Sequence, residues 1–179
     1  MAIYTKTGDR GETKVFDKKT GQLTKISKTS CKIASIGAID ELNSFLGVVK
    51  SFGADKDLQK KVTEIQGNLF TINSILAGGK LSFGKTKTKS LEKEIDKWEG
   101  TLPVLKNFIY YGGSQESSLI FYARALCRKA ERSVVSLGKK QKISEAILIY
   151  INRLSDYLFI LARSENHKRR LEERVWKKK

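Results

Sequence analysis

Five stretches of this chain place apolar residues three and four positions apart, which is the spacing of one face of an α-helix. These stretches span residues 36–49, 58–76, 91–98, 119–137 and 147–162. Glycine follows each of the first four stretches, where it favours helix termination, and Pro103 is the chain's single proline. Long amphipathic helices joined by short connections are typical of helical bundles. We therefore predict an all-α fold, a ferritin-like up-and-down bundle of five antiparallel helices.

The two ends of the chain lack this helical periodicity. Residues 1–34 are rich in Gly, Thr, Lys and Asp, and we predict an irregular N-terminal arm there. Residues 35–166 hold the five helices, and residues 167–179 form a basic tail with seven Lys and Arg residues against two Glu. No internal repeat or linker divides the 179 residues, so we expect a single domain that is large enough to bury a core without disulfides.

The formal net charge of +16 is unusual for a chain of this length. Such a surface attracts anions, including nucleotides, nucleic acids and acidic membranes. Only part of the charge lies in the tail, so the bundle itself is basic. Composition leaves two interpretations open, a solubilising surface and a role in the capture of an anionic ligand.

Cysteine spacing and hydropathy exclude several other classes of protein. Cys31 and Cys127 do not form a CxxC pair, so we expect neither a protein-held metal site nor a disulfide framework. No apolar run reaches about 18 residues, the length that spans a bilayer. The first residues, MAIYTKTGD, lack the apolar stretch of a signal peptide. These features predict a cytoplasmic protein that does not enter a membrane.

The N-terminal arm contains residue types that suit phosphate binding. Glycine lets backbone N–H groups approach phosphate oxygens, while Lys and Thr side chains supply charge and hydroxyl donors. The residues concerned are Thr5, Lys6, Thr7 and Gly8, followed by Thr13 and Lys14. The alternative interpretation is a polar N-terminal segment without a ligand.

Two helices carry charges that could face each other or a ligand. Asp40 and Glu41 lie early in the first helix, where a carboxylate also offsets the helix dipole without any further role. Arg124, Arg128 and Arg132 repeat every four residues in the fourth helix. Because like charges at this spacing repel, the pattern favours an anion opposite them, and guanidinium groups bind phosphate with two parallel hydrogen bonds. A solvated basic face is the alternative.

Three other features of the sequence resemble functional sites but have a structural alternative. Asn152 and Asp156 lie one turn apart in the fifth helix, where an interhelical hydrogen bond is as good an explanation as a ligand. Residues 79–86 satisfy the P-loop expression GxxxxGK[ST], but a helical stretch precedes them and no parallel sheet is predicted. We interpret them as a connection between helices. His167, the only histidine, lacks the neighbours of a catalytic base or a metal site.

Taken in order, five segments of the chain resemble the PduO-type ATP:corrinoid adenosyltransferases. They are Tyr-Thr-Lys-Thr-Gly-Asp at 4–9, Gly-x-x-Asp-Glu-Leu-Asn at 37–43, Phe-x-x-x-Gly-Gly-Ser at 108–114, Arg-x-x-Cys-Arg-Lys-Ala-Glu-Arg at 124–132 and Asn-Arg-Leu-Ser-Asp-Tyr-Leu-Phe at 152–159. The chain departs from the family pattern at Tyr110 and Tyr111, which stand where relatives have Leu-Pro. It also has Lys129 in place of the commoner Arg and Ala34 where many relatives have Glu.

The resemblance implies a homotrimer with ATP bound between subunits. The ATP-binding positions carried over from the family are Thr5, Lys6, Thr7, Gly8, Thr13, Lys14, Lys28, Arg128, Lys129, Glu131, Arg132 and Asn152. Lys25 is the alternative to Lys28 as the phosphate-binding lysine. Asp40, Arg124 and Arg128 would be the catalytic residues, with an Asp40–Arg124 salt bridge across the subunit interface. Phe108 would line the cobalamin pocket.

The implied reaction transfers the 5′-deoxyadenosyl group of ATP to cob(I)alamin and releases triphosphate, with Mg²⁺ assisting. A corrinoid reductase and an adenosylcobalamin-dependent enzyme would be protein partners. Two rival functions remain distinguishable by experiment. A nucleic-acid-binding bundle would show steeply salt-dependent binding, although no recognition-helix motif supports it. A carrier would bind adenosylcobalamin without making it.

Overall fold

The structure is a computed structural model that describes residues 4, 6, 8–17 and 20–177. Within this part of the chain, five α-helices account for most residues, as the apolar spacing predicted. They are α1 (Cys31–Phe52), α2 (Lys56–Leu76), α3 (Thr86–Glu99), α4 (Gln115–Gly138) and α5 (Glu145–Lys168). None of these helices is both long and apolar enough to cross a bilayer.

The N-terminal arm differs from the prediction because it contains a β-hairpin. Strand β1 (Glu12–Asp17) pairs antiparallel with β2 (Gln22–Ser27), and the turn between them includes Gly21 at φ 69°. Val15 is buried while most of the hairpin is solvent-accessible. Two six-residue strands with one buried side chain give too weak an alternation to stand out in a polar, Gly-rich segment.

Helix α1 begins at Cys31, four residues before residue 35, the predicted start of the helical region. Ser30 caps it, and its hydroxyl accepts a hydrogen bond from the backbone N–H of Ile33. Residues 31–34 carry no strong apolar signal, so the helix start is fixed by this cap rather than by the apolar face.

The helices pack in the order α2, α1, α4, α5 and α3, each against its neighbour in that series. Apolar side chains from the inner face of each helix fill one core, and burying each of them contributes roughly 1.5–3 kcal/mol. Those in the middle of the core include Leu42, Leu46, Leu69, Ile120, Ile151 and Leu154, all with no more than 1% of their surface exposed. The buried hydroxyl of Tyr150 is satisfied by the amide of Asn68 at 3.1 Å.

The connection at residues 79–86 joins α2 to α3, as predicted, and is not a P-loop. The only sheet in the described residues is the two-stranded hairpin, so no parallel strand delivers this segment. The hairpin instead rests on the end of α2. The backbone N–H of Phe16 donates to the carbonyl of Ala77 at 3.1 Å, and Gly78 follows at φ 105° against the Phe16 backbone.

The chain turns back after α5 and packs against the bundle. We call residues 169–177 the C-terminal strap. Val175 forms an isolated antiparallel bridge with Ile109, and the carboxylate of buried Glu116 pairs with the guanidinium of Arg169. The described part of the predicted basic tail is therefore fixed to the loop that precedes α4.

Candidate functional site

Lys28 holds residues 8–11, which we call the glycine loop, against the hairpin. Its ammonium donates to the carbonyl of Gly8 at 2.9 Å, and its backbone N–H donates to the carbonyl of Gly11 at 2.8 Å. Lys6, two residues before Gly8, has a left-handed backbone conformation with φ 56°. Its ammonium lies 5.8 Å from the centroid of the Tyr4 ring. Thr5 and Thr7 lie outside the described residues.

The hairpin separates the two candidate phosphate lysines. Thr13 pairs with Ile26, and Lys14 lies opposite Lys25 in the register. Lys25 forms an ion pair with Glu12 at 3.4 Å on the exposed hairpin, whereas Lys28 hydrogen-bonds to Gly8 and Gly11. The choice of Lys28 over Lys25 as the phosphate-binding lysine stays a prediction.

The arginines of α4 form a basic strip, as their spacing predicted. Arg128 and Arg132 are exposed, and neither makes a hydrogen bond or ion pair with any described residue. Lys129 is occupied by Glu41 of α1 at 2.6 Å. The strip therefore offers two unneutralised guanidinium groups to an anion from solution.

Asn152 joins the basic strip from the neighbouring helix. Its side-chain amide donates to a carboxylate oxygen of Glu131 at 2.9 Å, so α5 and α4 present these two predicted residues side by side. Asp156, one turn further along α5, instead pairs with Arg153 at 3.1 Å.

Asp40 and Arg124 do not meet within one chain. Asp40 is exposed on α1 and pairs with no described residue. Arg124 donates to the Tyr111 hydroxyl at 3.2 Å, and its guanidinium lies 5.3 Å from the Phe159 ring centroid and 5.6 Å from that of Tyr111. A salt bridge between different subunits stays a prediction.

An aromatic cavity of about 1110 Å³ lies beside Arg124. Phe108, the predicted corrin-pocket residue, is 80% exposed on its wall. The lining comprises residues 105–111, Phe159, Val175, Trp176 and Lys177. A large, mostly apolar and open cavity of this kind suits a large planar ligand.

Trp176 and Val175 are among the cavity residues that sequence reasoning missed. They lie in the C-terminal strap, where the surrounding Lys and Arg residues suggested a solvated tail. Two adjacent apolar residues inside a basic segment indicate that the segment packs against the protein, because a solvated tail would leave their apolar surface exposed to water.

Cys127 of α4 and His167, the only histidine of the chain, are of residue types that could act as a nucleophile or a base. Cys127 is fully buried on α4 and its thiol donates to the carbonyl of Ile151 at 3.4 Å. Burial raises the pKa of the Cys127 thiol far above its ordinary value, which keeps it protonated. His167 is exposed at the end of α5 and makes no described side-chain hydrogen bond.

Comparisons with known proteins point to one family. The sequence model described as cobalamin adenosyltransferase matches residues 3–165. The chain is 39% identical to the corrinoid adenosyltransferase of Bacillus subtilis, over 93% of this chain and 87% of that protein. It is 36% identical to corrinoid adenosyltransferase PduO of Citrobacter freundii over 93% of this chain, but spans only 50% of that protein.

A solved structure gives the same result. A variant of the PduO-type ATP:corrinoid adenosyltransferase from Lactobacillus reuteri, complexed with cobalamin and ATP, superposes with a TM-score of 0.91. The sequence identity is 34%, and the match covers 99% of this chain and 100% of the other. Similarity at this level extends over all five helices and the cavity-forming loop.

Proposed function

Because the chain belongs to the cobalamin adenosyltransferase family, we propose that it transfers the 5′-deoxyadenosyl group of ATP to cob(I)alamin. It is an ATP-dependent corrinoid adenosyltransferase, and both ATP and the corrinoid are its substrates. The finer proposals concern which residues act, how the chains assemble and how charge is stabilised. They rest on the geometry of the basic strip and the aromatic cavity.

One observation carries the residue assignment. Arg124 contacts the aromatic wall through Tyr111 and Phe159, while Arg128 lies one helical turn further along the same helix with its guanidinium free. The basic strip and the aromatic cavity are therefore adjacent. This arrangement suits a reaction between a polyanionic nucleotide and a large, flat, mostly apolar partner.

The nucleotide would lie along the basic strip. Arg128 and Arg132 can bind phosphate oxygens. Lys6, which precedes the glycine loop, and Lys28, which hydrogen-bonds to it, add charge. Glu131 and Asn152 would take the polar part of the nucleoside. The remaining proposed contacts come from Thr5, Thr7, Gly8, Thr13, Lys14 and Lys129.

The corrinoid would occupy the aromatic cavity with Phe108 against its lower face. A large apolar side chain there excludes water and a lower axial base from cobalt, which favours a four-coordinate state that is easier to reduce. Cobalt(I) is a strong nucleophile, so attack on C5′ of ATP needs no protein base.

The task of the protein is then to align the two substrates and stabilise the leaving triphosphate. Mg²⁺ would enter with ATP, bound to phosphate oxygens and water, as is usual for this ion. Among the described residues, no group of three or more Asp, Glu, His and Cys side chains is arranged to hold a metal ion.

We also propose a homotrimer with the nucleotide between subunits. Exposed Asp40 without a partner, together with free Arg128 and Arg132, supports an interface at which a neighbouring chain supplies charges. A cytoplasmic location, a corrinoid reductase and an acceptor enzyme for adenosylcobalamin complete the proposal.

The decisive experiment mixes the protein, ATP, Mg²⁺ and chemically reduced cobalamin, and follows conversion to the adenosylcobalamin absorbance spectrum. The inorganic product should be triphosphate in a 1:1 ratio to adenosylcobalamin. Omission of ATP is the control. Binding of cobalamin without conversion would identify a carrier and overturn the enzymatic proposal.

A further inference from the structure

Arg163 is a buried cation that joins three parts of the chain. It lies in the last third of α5 and is only 5% exposed. Its Nε and one terminal nitrogen donate to the two carboxylate oxygens of Glu173, at 2.7 and 2.9 Å. The same terminal nitrogen also donates to the carbonyl of Pro103 at 2.7 Å.

A buried guanidinium needs such partners, because an unpaired charge in the interior is costly. The two-pronged pair fixes the direction of the Glu173 side chain as well as its distance from Arg163. The side chain of Glu173 is itself only 17% exposed, so water competes weakly for the pair. Arg163 therefore holds both the C-terminal strap and the segment at Pro103 against α5.

Both of these segments lead directly into the walls of the aromatic cavity. Pro103 begins the stretch that carries Phe108. Glu173 is followed by Val175 and Trp176, which line the same cavity.

Backbone hydrogen bonds join the segment that carries Phe108 to the C-terminal strap. The N–H of Trp176 donates to the carbonyl of Phe108, and that of Tyr110 donates to the carbonyl of Arg174, each at 2.8 Å. The Ile109–Val175 bridge lies between them. A shift of the strap is thereby transmitted to the backbone of Phe108.

From this connection we infer that Arg163 and Glu173 form a positioning pair that sets the distance between these two paired segments and the α5 wall of the corrinoid cavity, which carries Phe159. Neither residue lines the aromatic cavity itself, although Arg163 lines a neighbouring cavity that shares Phe108 and Phe159. The inference rests on the proposed function for its corrinoid ligand, whereas the mechanical connection stands on the contacts themselves.

The kinetic test compares Glu173→Gln with Asp55→Asn. Both changes replace a carboxylate that pairs with a cation of α5, but Asp55 binds Lys168 at 2.9 Å and takes no part in the cavity. Glu173→Gln should raise the KM for cobalamin at least fivefold and leave the KM for ATP within twofold. Asp55→Asn should change neither. Equal rises in both KM values for Glu173→Gln would indicate a general structural defect and overturn the inference.

A second measurement does not depend on activity. The chain has two tryptophans, so Trp98→Phe leaves Trp176 as the single emitter. In this background, Glu173→Gln should increase acrylamide quenching of Trp176 at least twofold as the strap loosens, while Asp55→Asn should not. Unchanged quenching would refute the connection even if the parent enzyme is fully active. If Glu173→Gln does not fold, Glu173→Asp is measured in its place, since it keeps the charge but is too short to bridge both nitrogens.

If the parent protein shows no adenosyl transfer, the quenching result still decides whether the pair fixes the strap. The two failures are therefore separable.

Discussion

Arg128 shares with Arg132 an exposed position on α4 without a partner among the described residues, unlike the other basic residues of the strip. Arg124 is engaged by aromatic rings and Lys129 by Glu41, whereas Arg128 is exposed without a hydrogen bond or ion pair among the described residues. A guanidinium with no structural partner contributes little to folding stability. The proposed role of Arg128 is therefore to bind an anionic ligand.

We expect Arg128→Ala to lower kcat by about 10²–10³-fold, because one donor to the developing charge on triphosphate is lost. The melting temperature should stay within about 2 °C of the parent, since the side chain is exposed. Cobalamin absorbance kinetics and circular dichroism measure the two effects. Lys93→Ala removes an equally exposed cation on α3 and should be neutral in both. A normal turnover rate for Arg128→Ala would contradict the assignment.

Gly113 permits the loop that carries Phe108 to approach α5. Its φ is 113°, and a Cβ there would lie 2.2 Å from the side-chain oxygen of Asn166. That oxygen accepts from the N–H of Ser114 at 3.0 Å, and the Asn166 amide donates to Gly112 at 2.8 Å. Any side chain at position 113 must displace this buried pair of hydrogen bonds.

Gly113→Ala should therefore lower the free energy of unfolding by about 2–4 kcal/mol, through backbone strain and the loss of both hydrogen bonds. Urea denaturation measures the change. Gly67→Ala, in the interior of α2 with open space around it, is the matched control and should stabilise the protein by up to about 1 kcal/mol. Equal stability of the two variants would show that the Asn166 contact is dispensable.

Among the helices, α4 carries the basic strip and directly follows the loop that lines the cavity, so its N-terminus must be well defined. The hydroxyl of Ser114 caps it by accepting from the N–H of Ser117 at 3.1 Å. Ser144 precedes α5 in the same way but makes no capping hydrogen bond through its side chain.

We expect Ser114→Ala to cost about 1 kcal/mol of unfolding free energy, the usual value of an N-cap. Ser144→Ala should cost clearly less, because no side-chain bond is lost. Thermal or urea unfolding of the two variants provides the comparison. A larger loss at Ser144 would mean that the assigned cap is not the stabilising contact.

The helices were predictable because their signal is repeated over four or more turns. The Ser114 cap and the ends of α2, α3 and α4 followed from single residues with strong local preferences. The hairpin was missed because its strands bury one residue, Val15. The strap was missed because its packing depends on Glu116 and Ile109, which lie far away in sequence and reveal nothing by local spacing.

For the whole molecule, the net charge of +16 is partly explained by the basic strip and partly by surface lysines without assigned partners. The cavity is assembled from the α3–α4 connection, α5 and the strap, so it exists only when the C-terminus has folded back. The proposed nucleotide residues, by contrast, come from the N-terminal segment, the hairpin, α4 and α5. Formation of the complete site thus requires distant parts of the chain, and the proposed trimer adds a second copy.

Asp40 is where the proposed assembly can be tested most directly. It is exposed on α1 without a partner among the described residues, and an exposed carboxylate facing a guanidinium of another subunit would gain a charge-assisted hydrogen bond.

Asp40→Asn keeps the size of the side chain and removes its charge. We expect it to shift sedimentation equilibrium toward smaller species and to lower kcat at least tenfold, with both effects relieved at higher protein concentration. Glu64→Gln, an exposed carboxylate on α2, should leave mass and turnover unchanged. A parent protein that sediments as a monomer, or an Asp40→Asn variant with unaltered mass and kinetics, would refute the interface role, because the only change made is the charge that the interface is proposed to use.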